Sequence, residues 1–240
     1  MVISSPGPDA TLTVRGSLPP RSTTRPPGSP ILSDAAAASH VRPARETQSE
    51  NAPANHALPT KAALDDFHAA LHAPYSTLVT GRFAGTTDEI IQWAAWKWGI
   101  DEDVMRAVAA AESGWNQQAV ADGGVSFGLF SVKTQLASPP AGWPGSYPLA
   151  RTSTAFNADL YGRAVRSCLD GRERWLGPTY HPGDLWGCVG AWFSGSFHDP
   201  GAESYVKDVK RSLIERSWQP AGARTPEGGV QLGRLPLFRG

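Results

Sequence analysis

The sequence predicts an α+β fold, predominantly α-helical, with one small β-hairpin and a disordered segment in front. Three observations carry this. Apolar residues recur at helical spacing through most of the chain between residues 61 and 216. Asp122-Gly123-Gly124 supplies one clear hairpin turn signal, within about 119–131. No internal repeat and no strand–helix alternation appears, which argues against a parallel sheet.

The elements follow in chain order. Residues 1–60 contain no Phe, Tyr or Trp and hold ten of the 21 prolines. Such a stretch buries too little apolar surface to offset its conformational entropy, so it reads as a disordered leader. Residues 61–84 read as a leading helix and linker, with Leu64, Phe67 and Leu71 on one face. Thr86 and Glu89 form a capping box that opens a helix carrying Ile90, Ala94 and Trp98 on one face. Gly99 ends it. Asp101 caps the next helix, which runs to Ser113 and stops at Gly114. Further helices are expected over 154–169, 184–194 and 202–216. All nine tryptophans lie between Trp93 and Trp218, which places the folded domain at 85–218 and a flexible tail at 219–240.

Composition excludes several classes. Lys+Arg equals Asp+Glu at 22 each, so the chain lacks the basic excess of a dedicated nucleic-acid binder. No apolar run approaches the roughly 18 residues of a membrane span. The first 30 residues lack the apolar run of a secretory signal, and the Ser/Thr/Pro-rich start is similar in composition to leaders read by specialised secretion machinery. Six histidines show no metal-site spacing; His68 and His72 read as surface residues, and no metal is expected. Cys168 and Cys188 fall on neighbouring predicted helices, twenty residues apart. They form either a disulfide, worth roughly 3 kcal/mol and suited to an oxidising compartment, or two separate thiols.

Glu112 is the informative residue. It stands +7, +4 and +3 from Met105, Val108 and Ala109, so it continues the apolar face of its helix. Burial favours the neutral acid, and the negative end of the helix dipole disfavours an anion in the last turn. A carboxyl held protonated near neutral pH is what general-acid cleavage of a glycosidic bond requires. On spacing alone, Glu112 turning out to solvent or capping a neighbouring loop is the preferred alternative, because helix ends tolerate such residues.

The surrounding residues resemble a known family. Ala109-Ala110-Ala111-Glu112-Ser113-Gly114-Trp115-Asn116 resembles the helix-ending motif of the lytic transglycosylases (the SLT domain). Gly124-Val125-Ser126-Phe127-Gly128-Leu129-Phe130 resembles that family's Gly-x-Ser-x-Gly-Leu motif. Ala191-Trp192-Phe193-Ser194-Gly195 stands where the family has Ala-Tyr-Asn-x-Gly, and Tyr205-Val206 matches its Tyr-Val. The likeness covers about 86–217. It implies a lysozyme-like domain that needs no cofactor and cuts the β-1,4 bond from N-acetylmuramic acid to N-acetylglucosamine in peptidoglycan glycan strands. It also implies a secreted or cell-envelope location. Glu112 would be the catalytic acid and then base, with substrate contacts at Ser126, Phe130, Ser131, Trp192 and Tyr205.

Departures from the pattern are specific. The family's Gln following its Gly-Leu-Met run is Ser131 here, and its Tyr-Asn pair is Trp192-Phe193. Trp192 keeps a stacking face but loses the phenol; Phe193 reads as core. Trp115 reads as core beside the cleft, and Trp143 in the loop 137–150 as a cleft wall. Asp122 reads first as a turn former. Its other reading is a second carboxylate for a hydrolytic muramidase. A non-catalytic glycan-binding module is the remaining alternative.

Overall fold

The computed structural model describes residues 21–134 and 142–219. These residues form an α+β fold dominated by helices: α1 (Asp34–Ala38), α2 (Ala52–Asn55), α3 (Lys61–Ala70), α4 (Thr87–Trp98), α5 (Glu102–Ser113), α6 (Leu149–Thr152), α7 (Thr154–Leu169), α8 (Leu185–Ser194) and α9 (Pro200–Glu215). Between α5 and α6 a small antiparallel sheet runs in the order β1 (Val120–Ala121), β2 (Ser126–Phe127), β3 (Val132–Lys133). Its register pairs Ala121 with Ser126 and Ser126 with Lys133. The sheet thus extends one strand beyond the expected hairpin.

The helix boundaries follow their caps. Thr86 accepts from the Glu89 amide while the Glu89 side chain returns to the Thr86 amide. Gly99, at φ 62°, closes α4 in the left-handed region. Asp101 accepts from the amides of Asp103 and Val104 to open α5, and Gly114 ends it. Ser153, Asp184 and Asp199 cap α7, α8 and α9 in the same way.

α7 is the buried axis of the domain: every one of its residues from Thr154 to Leu169 is buried. It packs on α4 and α8, while α9 packs on both α5 and α8. Trp93, Trp98, Phe130, Phe156 and Tyr161 fill the core. Asp159, in the middle of α7, is wholly buried and fully bonded. It accepts from Trp98 Nε1 at 2.6 Å, from the amides of Thr80 and Gly81, and from Lys97 Nζ at 2.7 Å. Such a network offsets the desolvation of the charge it holds. Cys168 of α7 and Cys188 of α8 form a disulfide.

The expectation of a disordered leader over 1–60 is corrected for 21–60. This segment lies along the domain. Leu32 donates from its amide to the Lys97 carbonyl at 3.0 Å, and the Ser22 hydroxyl to the Ile100 carbonyl at 2.7 Å. Asp34 pairs with Lys97 at 2.7 Å, and His40 stacks on Trp96 with centroids 4.1 Å apart. Asn51 is fully buried, donating to the Trp115 carbonyl and accepting from the Gln117 amide. The aromatic count misleads because this segment builds no core of its own. It covers one that the helices supply, through backbone and polar anchors, and its prolines reduce the entropy lost on ordering. The readings for residues 1–20, for the tail from 220 onward and for 135–141 of the expected cleft-wall loop lie outside the described residues. No described helix is long and apolar enough to cross a membrane.

Candidate active site

Glu112 sits in the last turn of α5 at the floor of a cleft of about 890 Å³. It continues the apolar stripe of α5 and faces the cleft and not the open solvent. The Tyr205 hydroxyl, carried in by α9, donates to Glu112 Oε1 at 2.6 Å. Desolvation pushes the Glu112 carboxyl up from 4.5 to about 7, and the neighbouring Asp122 anion adds to the rise. The Tyr205 hydroxyl acts the other way by bonding to the ionised form, and the nearby Ser131 hydroxyl acts in the same direction. The result is a carboxyl poised to give a proton and to take one back near neutrality.

Asp122, Ser126, Ser131, Trp192 and Tyr205 line the cleft with Glu112. Asp122 stands in the expected turn and also borders the cleft. Its φ is 52°, and its carboxylate accepts from the Ser126 hydroxyl at 2.6 Å. Ser126 is therefore bonded to Asp122 and not to Glu112. The Ser131 hydroxyl donates to the Glu112 carbonyl oxygen at 3.3 Å. Trp192 is half-buried, donates from Nε1 to the Phe130 carbonyl at 3.1 Å and stacks on Trp143.

Two expectations are corrected here. Phe130 is wholly buried and stacks on Tyr161 with centroids 4.4 Å apart, so no substrate reaches its ring. It stands in the turn between β2 and β3, where Asn157 holds its amide and its ring enters the core, while Ser131 lines the cleft. Phe193 is the reverse case. It is 58% exposed and lies flat on the Tyr205 ring, 4.6 Å between centroids. It reads as core because it is large and apolar. It stands, however, in the last turn of α8, where the chain leaves the packed face and covers the cleft-lining Tyr205.

Gly128-Leu129-Phe130 is held by side chains that the motif itself does not contain. The Leu129 amide donates to Gln117 Oε1 at 3.0 Å and the Phe130 amide to Asn157 Oδ1 at 2.8 Å. Asn157 Nδ2 donates to the Phe127 and Ala150 carbonyls. The Ser113 hydroxyl donates to the Leu129 carbonyl at 2.9 Å, which ties the residue after Glu112 directly to this segment. Gln117 and Asn157 were missed at the level of sequence. A signal existed for Asn157: an amide in the first turn of a helix, flanked by Ala155, Phe156 and Ala158, needs partners once that turn is buried. Tyr161 also escapes the motifs; it is fully buried and sets its ring edge-on against Trp192 at 5.1 Å. His68 donates from Nε2 to the Val79 carbonyl at 2.9 Å, and among the described residues no three His, Cys, Asp or Glu side chains converge as a metal site. No family model, curated protein or solved structure matches this chain.

Proposed function

We propose that this protein is a peptidoglycan lytic transglycosylase acting in the cell envelope or outside the cell. The observation that carries the proposal is the Glu112 carboxyl, raised to about 7 and bonded by Tyr205 in an open cleft. It is the only acid in the cleft that combines this position with an upward shift among the described residues. The sequence likeness around Glu112, Ser126, Trp192 and Tyr205 supports the same reading, and the disulfide suits an oxidising compartment.

On this reading Glu112 gives its proton to the glycosidic oxygen as the C1–O bond of the muramoyl residue breaks. The anomeric carbon passes through an oxocarbenium-like state. Glu112, now a carboxylate, takes the proton of the muramoyl 6-hydroxyl, whose oxygen bonds to C1. The products are a 1,6-anhydro end and a new N-acetylglucosamine 4-hydroxyl, with no water consumed. One carboxyl serves as acid and base in turn, unlike the two-carboxylate scheme of most glycosidases. Tyr205 steadies the anion between the two transfers, and Trp192 offers a face to a sugar ring.

A second reading has its own observation: the Asp122 carboxylate borders the same cleft. There it would activate water and give a reducing end. Digestion of purified peptidoglycan by the full chain, with products identified by mass spectrometry, decides between them. Transglycosylation yields anhydro-ended fragments, and Glu112→Gln lowers their rate by at least about a thousandfold. Reducing ends from the wild type assign hydrolysis. No product, with glycan binding retained, assigns a binding module.

A further inference from the structure

A second cavity, of about 480 Å³, opens beside the cleft and shares Ser131, Lys133, Trp192 and Phe193 with it. Its far wall is Trp143, Trp175 and Arg172, and the Cys168–Cys188 disulfide lies in its lining. Trp175 is half exposed, and Trp143 is set by its own amide, which donates to the Lys133 carbonyl at 2.7 Å. β3 and the indole wall are therefore one unit.

The charges of the two spaces differ. The cleft carries Glu112, Asp122, Asp208 and Glu215, and its Arg211 is paired with Asp208 at 3.0 Å. The side pocket contains one acid, Glu173, already neutralised by Arg163 at 3.1 Å and bonded by Trp175 Nε1 at 2.7 Å. Arg172 remains as a cation bonded only to the neutral Tyr75 hydroxyl, and the Lys133 ammonium has no hydrogen-bond or ion-pair partner among the described residues. Lys133 is half-buried at the junction of the two spaces. A partly desolvated ammonium without a counter-ion favours an anionic ligand.

A neutral acetylated sugar offers no such anion. The peptide attached to the muramoyl lactyl group does: it carries free carboxylates and small apolar side chains, and it branches from the strand beside the scissile bond. We propose that the side pocket holds this peptide branch and that Lys133 binds one of its carboxylates. The inference rests on the peptidoglycan reading above and goes beyond it, because it makes a branched, anionic strand the preferred substrate.

The test uses the full chain and two readouts. In the first, a glycan-free stem tetrapeptide is titrated while tryptophan fluorescence is followed, since three indoles wall the pocket. Saturable binding is expected, weakened at least tenfold by Lys133→Met, kept within about threefold by Lys133→Arg, and lost when the peptide carboxylates are amidated. Absence of saturable binding, or equal affinity in Lys133→Met, or equal affinity for the amidated peptide, overturns the proposal. In the second, stem-bearing strands and strands whose stem carboxylates are amidated are compared. Lys133→Met is expected to lower the preference for the strand with free carboxylates about tenfold, through KM and not kcat. An unchanged preference overturns the proposal. Peptide binding without cleavage of either strand would sink the enzymatic reading and leave the pocket's assignment standing; cleavage without peptide binding would do the opposite.

Discussion

The Glu112 carboxyl is kept protonated near neutral pH by removal from water, and this has a thermodynamic consequence apart from any substrate. Its native pKa of about 7 lies above its ordinary value of 4.5, so the folded chain holds a proton that the unfolded chain releases between those values. Stability therefore declines as pH rises through that window, and the full deficit is present above 7. Glu112→Gln escapes it. After allowing for the partial exposure of the side chain, the variant is expected to be more stable than wild type by about 2 kcal/mol at pH 8 and equal to it near pH 4, measured by denaturant unfolding. A variant that is less stable at pH 8 would show that the carboxyl is not strained. Tyr205 acts on the same proton with the other sign. Its hydroxyl favours the anion, so Tyr205→Phe raises the Glu112 pKa further. The alkaline limb of the pH–rate profile then moves to higher pH, and kcat falls about tenfold for the lost hydrogen bond. A profile that stays in place would separate Tyr205 from the titrating group.

Among the elements, the segment following β2 shows how a short motif depends on its surroundings. Gly128 has φ +80°, and a Cβ there would meet Asn157 Nδ2, with the Ala150 carbonyl and Gln117 Nε2 each at 2.7 Å. The glycine is needed both for its dihedral and for the close approach. Gly124 also has a positive φ, of 98°, but nothing lies within 4 Å of its Cβ position. Gly128→Ala is therefore expected to cost about 3 kcal/mol or more and Gly124→Ala about 1, by thermal or chemical unfolding. Equal costs would mean that strain alone, without crowding, sets both. The caps of α4 and α5 were readable because Thr86, Glu89, Asp101 and Gly114 act on amides and carbonyls a few residues away. The clamp on Leu129 and Phe130 was not, because Gln117 and Asn157 reach it from 12 and 27 residues away.

For the molecule as a whole, residues 21–60 are a structural part of the domain. Asn51 holds the Trp115 carbonyl and the Gln117 amide, and Gln117 in turn holds Leu129, so the segment reaches the turn between β2 and β3 beside the cleft through two side chains. Deleting residues 2–60 uncovers Trp96 and removes Asp34 from the buried Lys97. The deletion is expected to lower Tm by more than about 10 °C or to leave the chain insoluble, since each lost kcal/mol shifts a domain of this size by roughly 2–4 °C. An unchanged Tm would mean that the segment rests on the surface without stabilising it. Asn51→Ala, which strips partners from two buried backbone groups, is the finer probe and costs about 2 kcal/mol.

Local chemistry alone was enough to place α3, α4, α5, α7, α8 and α9 and the turn at Asp122, whereas the inward reading of Glu112 needed the motif around it. Caps, turn residues and the 3.6-residue stripe act within one or two turns of chain. Tertiary structure decided the rest. It brought Tyr205 onto Glu112 across 93 residues and sent Phe130 inward and Phe193 outward. It also laid a proline-rich segment over a core to which that segment contributes little. Each of these outcomes depends on which surface arrives from elsewhere in the chain, and composition and spacing carry no record of that.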